Sequence, residues 1–219
     1  MSTKTKANLT ILEHPLVQDK LTQLRDRDTN PEHFRRLVVE LSQFLMYEMA
    51  RNLKTKEVQV TTPLQKTKGR RISERVTLLP IMRAGLAMLE GASKVMTSAA
   101  IGHIGIYRDK FVQDTTVEYY FRLPKDVEGQ RVVVLDPMLA TGETMVAALS
   151  RLKERKIGPV SLLTILASKA GLKKVTDAFP DVEVFTLSLE SVLDKNGYIL
   201  PGVGDAGDRI YGTVGLEDL

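Results

Sequence analysis

The chain has 219 residues, 43% of them hydrophobic and 26% charged, with a formal net charge of +4; these are ordinary values for a globular protein, and the length suits one domain. Cysteine is absent, which excludes disulfides, thiolate metal sites and a thiol nucleophile and fits a reducing compartment. No apolar run reaches the roughly 18–20 residues of a membrane span, and no apolar segment follows the polar start MSTKTKANLT as it would in a secretory signal, so a soluble, cytoplasmic protein is expected.

Residues 31–53 read as a helix: Asn30 is a good N-cap, Pro31 suits the first turn, and Phe34, Leu37, Val38, Leu41 and Leu45 recur at helical spacing. Glu57–Thr62 alternates as a strand. The basic stretch behind it, Lys66, Lys68, Arg70, Arg71 and Arg75, reads as a solvated loop. With only 5% aromatics and no Trp, that stretch lacks the interleaving expected of a nucleic-acid surface, and nucleic acid is not an expected partner. Val76–Met82 predicts a strand, Leu86–Val95 a helix, Ile101–Tyr107 a strand, and Thr116–Leu123 a strand or hairpin. Arg131–Leu135 is an unbroken β-branched run, as in a strand covered on both faces. A helix carrying Met145, Ala148, Leu149 and Leu152 on one face follows, then a strand at Val160–Ala167, a helix at 170–179 and a strand at Val182–Leu189. Alternation at this spacing predicts an α/β fold, a mainly parallel sheet flanked by helices, in one domain over 1–219 with its core at about 76–190. Ligands in such sheets sit at the carboxyl ends of the strands.

Three strand ends carry chemistry. After Leu135 the chain runs Asp136-Pro-Met-Leu-Ala-Thr-Gly-Glu-Thr144 into a helix. Unpaired N–H groups and the dipole at a helix start favour an anion. Thr141 and Thr144 add hydroxyls, and Gly142 allows close approach. Asp136 is placed to face sugar hydroxyls or a magnesium-bound water. A capped helix start alone reads the same way, and the spacing is not that of a Walker loop. Pro80-Ile-Met-Arg83-Ala-Gly and Gly105-Ile-Tyr-Arg108-Asp109 end two other strands; their arginines are surface residues or bidentate donors to a diphosphate. At the C-terminal end, Asn196-Gly-Tyr-Ile-Leu-Pro-Gly-Val-Gly-Asp-Ala-Gly-Asp-Arg-Ile-Tyr-Gly-Thr213 holds most of the six glycines, out of fifteen, that fall between Gly197 and Gly215. Neither regular helix nor ordinary strand is expected there. Its apolar Ile199, Leu200, Val203 and Ile210 argue for a folded loop whose main chain faces a small flat ligand.

These segments resemble the uracil phosphoribosyltransferases, a branch of the type I phosphoribosyltransferases. Asp136–Gly142 resembles their phosphoribosyl diphosphate (PRPP) loop, Gly102-His-Ile-Gly-Ile-Tyr-Arg-Asp109 matches a family segment without change, and the 197–213 stretch resembles their base-recognition loop. His14-Pro-Leu-Val-Gln resembles the family's opening, so the likeness runs over about residues 10–213. The resemblance implies a small hood or flap and a β-arm added to the type I fold. It implies transfer of uracil to 5-phospho-α-D-ribose 1-diphosphate, giving UMP and diphosphate in pyrimidine salvage. It further implies PRPP contacts at Arg83, Arg108, Asp136, Pro137, Met138, Leu139, Ala140, Thr141, Gly142, Glu143, Thr144 and Asp205, and uracil contacts at Ile199, Gly204, Asp205 and Ala206, with Arg108, Asp136 and Asp205 as the catalytic set. Mg2+ is the implied cofactor, held mainly through PRPP and without a direct protein ligand. A homodimer or higher homo-oligomer is implied; GTP as an effector is left open. Thr62–Val76 and Gln113–Tyr120 are candidates for the arm and flap, and His103 reads as structural. The chain departs from the pattern at Glu143-Thr144, where the family continues Gly-Ser, and over 167–195. A different base, or a PRPP- or nucleotide-sensing RNA-binding regulator on the same fold, are the alternatives.

Overall fold

The computed structural model describes residues 2–4, 8–109 and 115–213. Strands β1 (Ser2–Lys4) and β2 (Leu9–Leu12) lead into helices α1 (Pro15–Arg25) and α2 (Pro31–Ala50). Helix α1 carries a narrow apolar face, Val17, Leu21 and Leu24, and is capped by His14, whose Nδ1 accepts from the Leu16 N–H at 3.1 Å. The Asn30 side chain caps α2 by accepting from the His33 N–H at 2.9 Å, and all five apolar residues that predict the helix are buried.

Next comes a hairpin of β3 (Thr55–Thr61) and β4 (Lys66–Ile72), paired antiparallel from Thr55↔Ile72 to Thr61↔Lys66. The basic stretch expected as a solvated loop is therefore a strand over Lys66–Ile72. Both strands are exposed almost throughout; in β4 no buried face stamps a period of two on the sequence, and the backbone ladder with β3 makes the structure. The remaining elements are β5 (Val76–Met82), α3 (Gly85–Val95), β6 (Ala100–Ile101), β7 (His103–Asp109), β8 (Thr115–Arg122), β9 (Arg131–Leu135), β10 (Met138–Leu139), α4 (Glu143–Lys153), β11 (Val160–Ser168), α5 (Lys169–Ala178), β12 (Glu183–Glu190), β13 (Val192–Leu193), β14 (Ile199–Leu200) and α6 (Ala206–Tyr211).

The main sheet runs β1-β2-β12-β11-β9-β5-β7-β8, with β10 and β6 appended to β11 and β5. Pairing is parallel from β2 through β7 and antiparallel only at the two edges, β1/β2 and β7/β8. Central β9 is buried along its whole length, and its residues alternate between two cores. Val133 and Leu135 join the apolar residues of α1, α2, α3 and α6; Val132 and Val134 join those of α4 and α5. Fully burying one Val or Leu contributes about 1.5–3 kcal/mol, which makes this strand the sheet's anchor. No helix of the described residues is long and apolar enough to cross a membrane.

Strand order places the ligand site. From β5 the chain moves outward to β7, whereas β9 leads the other way to β11 and β12. The crevice at the carboxyl ends of β5 and β9 is thus the topological switch point. At the opposite, amino end, Arg131 donates to Glu74 at 2.6 Å, to Glu183 at 2.5 Å and to Ser161 Oγ at 2.9 Å. Burial pushes the Glu74 carboxyl up, but the hydrogen bond and charge of Arg131, together with the Lys54 N–H, hold it below its ordinary value. This buried ion cluster ties three strands together far from the crevice.

Candidate active site

A cavity of about 490 Å³ opens at the switch point. Its floor comes from the ends of β5 and β7 (Ile81, Met82, Arg83, Ala84, Ile106, Tyr107) and from Asp136, Pro137 and Met138 after β9. Tyr119 of β8, Thr144 of α4, and Asp205, Ala206 and Gly207 at the start of α6 close it. Arg83, Asp136, Pro137, Met138, Thr144, Asp205 and Ala206 are thereby brought together as the sequence predicts. Leu139 is buried in the core; Ala140, Thr141 and Gly142 join β10 to α4, and neither they nor Glu143, the first residue of α4, are among the lining residues. Arg108 lies in β7, one residue past the lining Tyr107; its side chain lies outside the described residues, as do residues 113–114 of the candidate flap.

The turn after β9 is built from main chain. The Asp136 N–H donates to Leu163 O at 3.2 Å, and Pro137 O accepts from the N–H groups of Ile165 and Leu166 at 3.1 and 3.0 Å. Ser168 caps α5, accepting from the Gly171 N–H at 2.8 Å, and donates to Ala140 O at 2.5 Å. The loop thus rests on the start of α5. Gly171 makes that approach feasible, since a Cβ there would stand 2.3 Å from Ala140 O. Gly142 turns the chain into α4 with φ at +87°, in the left-handed region that favours glycine.

Two carboxylates face the cavity. Asp136 accepts from the Met138 N–H at 3.3 Å, a long bond. Burial drives its carboxyl up from 3.8 to about 7, against the pull of that N–H. The side chain is half-buried, closely surrounded by protein yet open to the cavity. Asp205 is exposed and caps α6, its Oδ1 accepting from the Asp208 N–H at 2.9 Å. Arg83 extends toward α6, its guanidinium 5.7 Å from the Tyr211 ring centre and 3.8 Å from Asp208 Oδ1, while the Tyr211 hydroxyl donates to Arg83 O at 2.9 Å.

The glycine-rich segment does contain regular structure, contrary to expectation: the β14 bridge, in which Ile199 pairs with Leu193, and the six-residue α6. Glycines at turns concealed both, because their spacing leaves only short runs. The Ile199 side chain is buried at 3% exposure, so its main chain is what it can offer a ligand; Gly204 is exposed with φ at +75°.

Two arginines that the sequence reasoning missed hold this segment. Arg209 donates to Val203 O at 3.0 Å and, across to the α1–α2 connection, to Leu24 O at 2.9 Å, Asp26 O at 2.5 Å and Thr29 O at 3.3 Å. Its guanidinium lies 4.4 Å from the Phe34 ring centre, and burial depresses its pKa against the opposing charge of Asp26. Arg25 donates to Gly202 O at 3.0 Å and to Glu190 Oε1 at 2.5 Å. In sequence each is a single cation beside apolar residues, a pattern that surface arginines share. The cavity aromatics Tyr107 and Tyr119, with ring centres 6.0 Å apart, were likewise read only as strand formers.

A mainly parallel sheet flanked by helices, with its crevice at the carboxyl ends of β5 and β9, is a type I phosphoribosyltransferase fold. Adenine phosphoribosyltransferase of Leishmania donovani shares it, with a TM-score of 0.59 over 90% of each chain at 14% identity. A sequence model of the uracil phosphoribosyltransferase family matches residues 11–213, and the chain belongs to that family. It is 45% identical to a uracil phosphoribosyltransferase of Dictyoglomus turgidum, over 93% of this chain and 98% of the relative. The AQ2163 protein of Aquifex aeolicus has a similar structure, with a TM-score of 0.88 and 36% identity over 94% of this chain and 98% of that one.

Proposed function

We infer that the protein is a uracil phosphoribosyltransferase, converting uracil and PRPP to UMP and diphosphate in pyrimidine salvage. Family membership supports the activity, and one observation carries the site: Arg83, Asp136, Thr144, Asp205 and Ala206, from four separate strand or helix ends, line a single cavity.

In this reading the α4 start and its threonine hydroxyls take the 5′-phosphate, and Arg83 and Arg108 face the diphosphate. Main chain at Ile199, Gly204 and Ala206 reads the flat edge of uracil, whose carbonyls and N–H groups complement exposed amides and carbonyls. A uracil ring nitrogen adds to the anomeric carbon as the bond to diphosphate breaks, with inversion through an oxocarbenium-like ribose, and the ring N–H proton is released to the departing diphosphate or to water. No covalent enzyme intermediate is needed; orientation and electrostatic stabilisation of the departing charge do the catalysis. Tyr107 and Tyr119 flank the cavity and help exclude water, which would otherwise hydrolyse PRPP.

The carboxylates suit a magnesium ion carried in on PRPP. The Asp136 carboxyl is raised by burial and receives one long hydrogen bond, so a nearby cation would relieve it. Magnesium keeps several waters and is held in this reading largely by substrate oxygens. Magnesium bound there, with Asp136 and Asp205 reached through water, would supply positive charge to the leaving diphosphate. Asp136 and Asp205 themselves orient the ribose and keep its hydroxyls hydrogen-bonded.

The chain acts in the cytoplasm as a homodimer or higher homo-oligomer, and the β3–β4 hairpin is the arm that contacts the second copy. Incubation with PRPP, Mg2+ and labelled uracil tests the reading, with adenine, hypoxanthine and cytosine as competitors. UMP formation that only uracil competes away is expected. Folded protein that makes no UMP, or prefers another base, would sink it.

A further inference from the structure

Helix α4 begins with an acidic side chain at the place where the proposed reading puts a phosphate. The Thr141 hydroxyl, one of the two threonine hydroxyls that the proposed reading offers that phosphate, is hydrogen-bonded to Glu143 Oε2. Glu143 Oε1 in turn accepts from Lys174 Nζ of α5 at 2.7 Å. Glu143 and Lys174 side chains retain 33% and 46% of their exposure, so neither is locked in the core. The loop therefore already holds an anion, supplied by its own helix and tethered by a lysine from the next one.

We propose that Glu143 is a resident anion of the phosphate loop, competing with the 5′-phosphate of PRPP and UMP for Thr141, and that Lys174 sets the strength of that competition. This inference rests on the phosphoribosyl reading of the cavity. A carboxylate at the first turn of a helix gains from the same N–H groups and dipole that attract phosphate. The two anions cannot share one hydroxyl proton, and their charges repel at close range. Phosphate entry requires Thr141 to turn from Glu143 to the ligand. Lys174 stays with the displaced carboxylate and screens it. Without Lys174 less positive charge would offset the carboxylate beside the incoming phosphate.

The consequence is confined to ligands that carry the 5′-phosphate. Glu143→Ala removes both charge and acceptor, and should lower the KM for PRPP and the inhibition constant of UMP together. About 3–10-fold is expected, the scale of one charge-assisted hydrogen bond in a half-exposed site. The KM for uracil should change less than the KM for PRPP, because the change falls on binding of the phosphate end. Lys174→Met should raise both phosphate-ligand constants by a similar factor, and that effect should vanish in the Glu143→Ala/Lys174→Met double variant.

Steady-state kinetics with PRPP, uracil and UMP on the four proteins, at fixed Mg2+, provide the test. An unchanged or raised KM for PRPP in Glu143→Ala would overturn the proposal and leave Glu143 as a helix-stabilising residue. A Lys174→Met effect that survives in the double variant would overturn it too, since Lys174 would then contact phosphate itself. Wild-type protein that turns over uracil and PRPP while Glu143→Ala shows no shift defeats this inference alone; wild-type protein that neither binds nor consumes PRPP defeats the functional reading as well.

Discussion

Replacing Asp136 by Asn leaves the shape of the strand tip nearly unchanged and removes its charge. In the folded, metal-free protein burial lifts this carboxyl from 3.8 to about 7, so the native state holds a proton that the unfolded chain has already released. Stability from this group is complete below pH 4 and is lost as the pH rises toward 7. Each tenfold change in proton affinity is worth about 1.4 kcal/mol, which sets a ceiling of about 4 kcal/mol for the whole span. The opening to the cavity lets water reach the carboxylate and reduces this. Asp136→Asn should therefore gain about 1–2 kcal/mol over wild type between pH 5 and pH 8. Urea unfolding of both proteins at several pH values, in chelator and at one protomer concentration, measures the difference directly. UMP formation should fall by about 100-fold or more in the same variant, the trade expected when an unfavourably buried charge serves catalysis. An Asn variant less stable than wild type at pH 8, or a difference that does not change with pH, would refute the reasoning.

Asp205 caps α6 and in the proposed reading also binds substrate, and one substitution separates the two. Asp205→Asn keeps an oxygen for the Asp208 N–H, so thermal stability should fall by less than about 1 kcal/mol, while UMP formation drops severely; retained activity would remove Asp205 from the site. Gly171→Ala forces a Cβ against Ala140 O, where only 2.3 Å is available, and should shift the phosphate loop. A rise in the KM for PRPP of about tenfold or more is expected, with the KM for uracil less affected, and unchanged kinetics would show that the loop does not depend on its seat on α5. Arg209→Ala removes four hydrogen bonds to carbonyls and the contact with Phe34. A loss of about 2–4 kcal/mol in unfolding free energy is expected, along with a raised KM for uracil. A stable variant with normal uracil kinetics would mean that the segment holds itself.

Legibility in the sequence followed burial. Strands β5, β9, β11 and β12 are covered on at least one face along most of their length, so their apolar runs marked them within a residue or two. Helix α2 declared itself by its cap and its five-residue apolar stripe. Strand β4 did not, because its side chains meet solvent on both faces. Helix α1, with three buried residues among polar ones, gave too weak a period to register. In the glycine-rich segment the composition pointed away from α6, whose six residues are ordered by the Asp205 cap and by Arg209 rather than by any periodicity.

From the order of residues alone came the alternation of strands and helices, the phosphate-type turn at Asp136–Thr144, and the motif likeness that names the family. These are local: they depend on period, turn chemistry and the helix start, which neighbours along the chain supply. Only tertiary structure decided which strand ends meet, because sheet order sets β5 beside β9 although residues 83–130 lie between them. It alone revealed that Arg209 spans to the α1–α2 connection, that α5 supports the phosphate turn, and that Lys174 pairs with Glu143. A side chain's partner across the fold is chosen by packing, and no spacing along the chain encodes it.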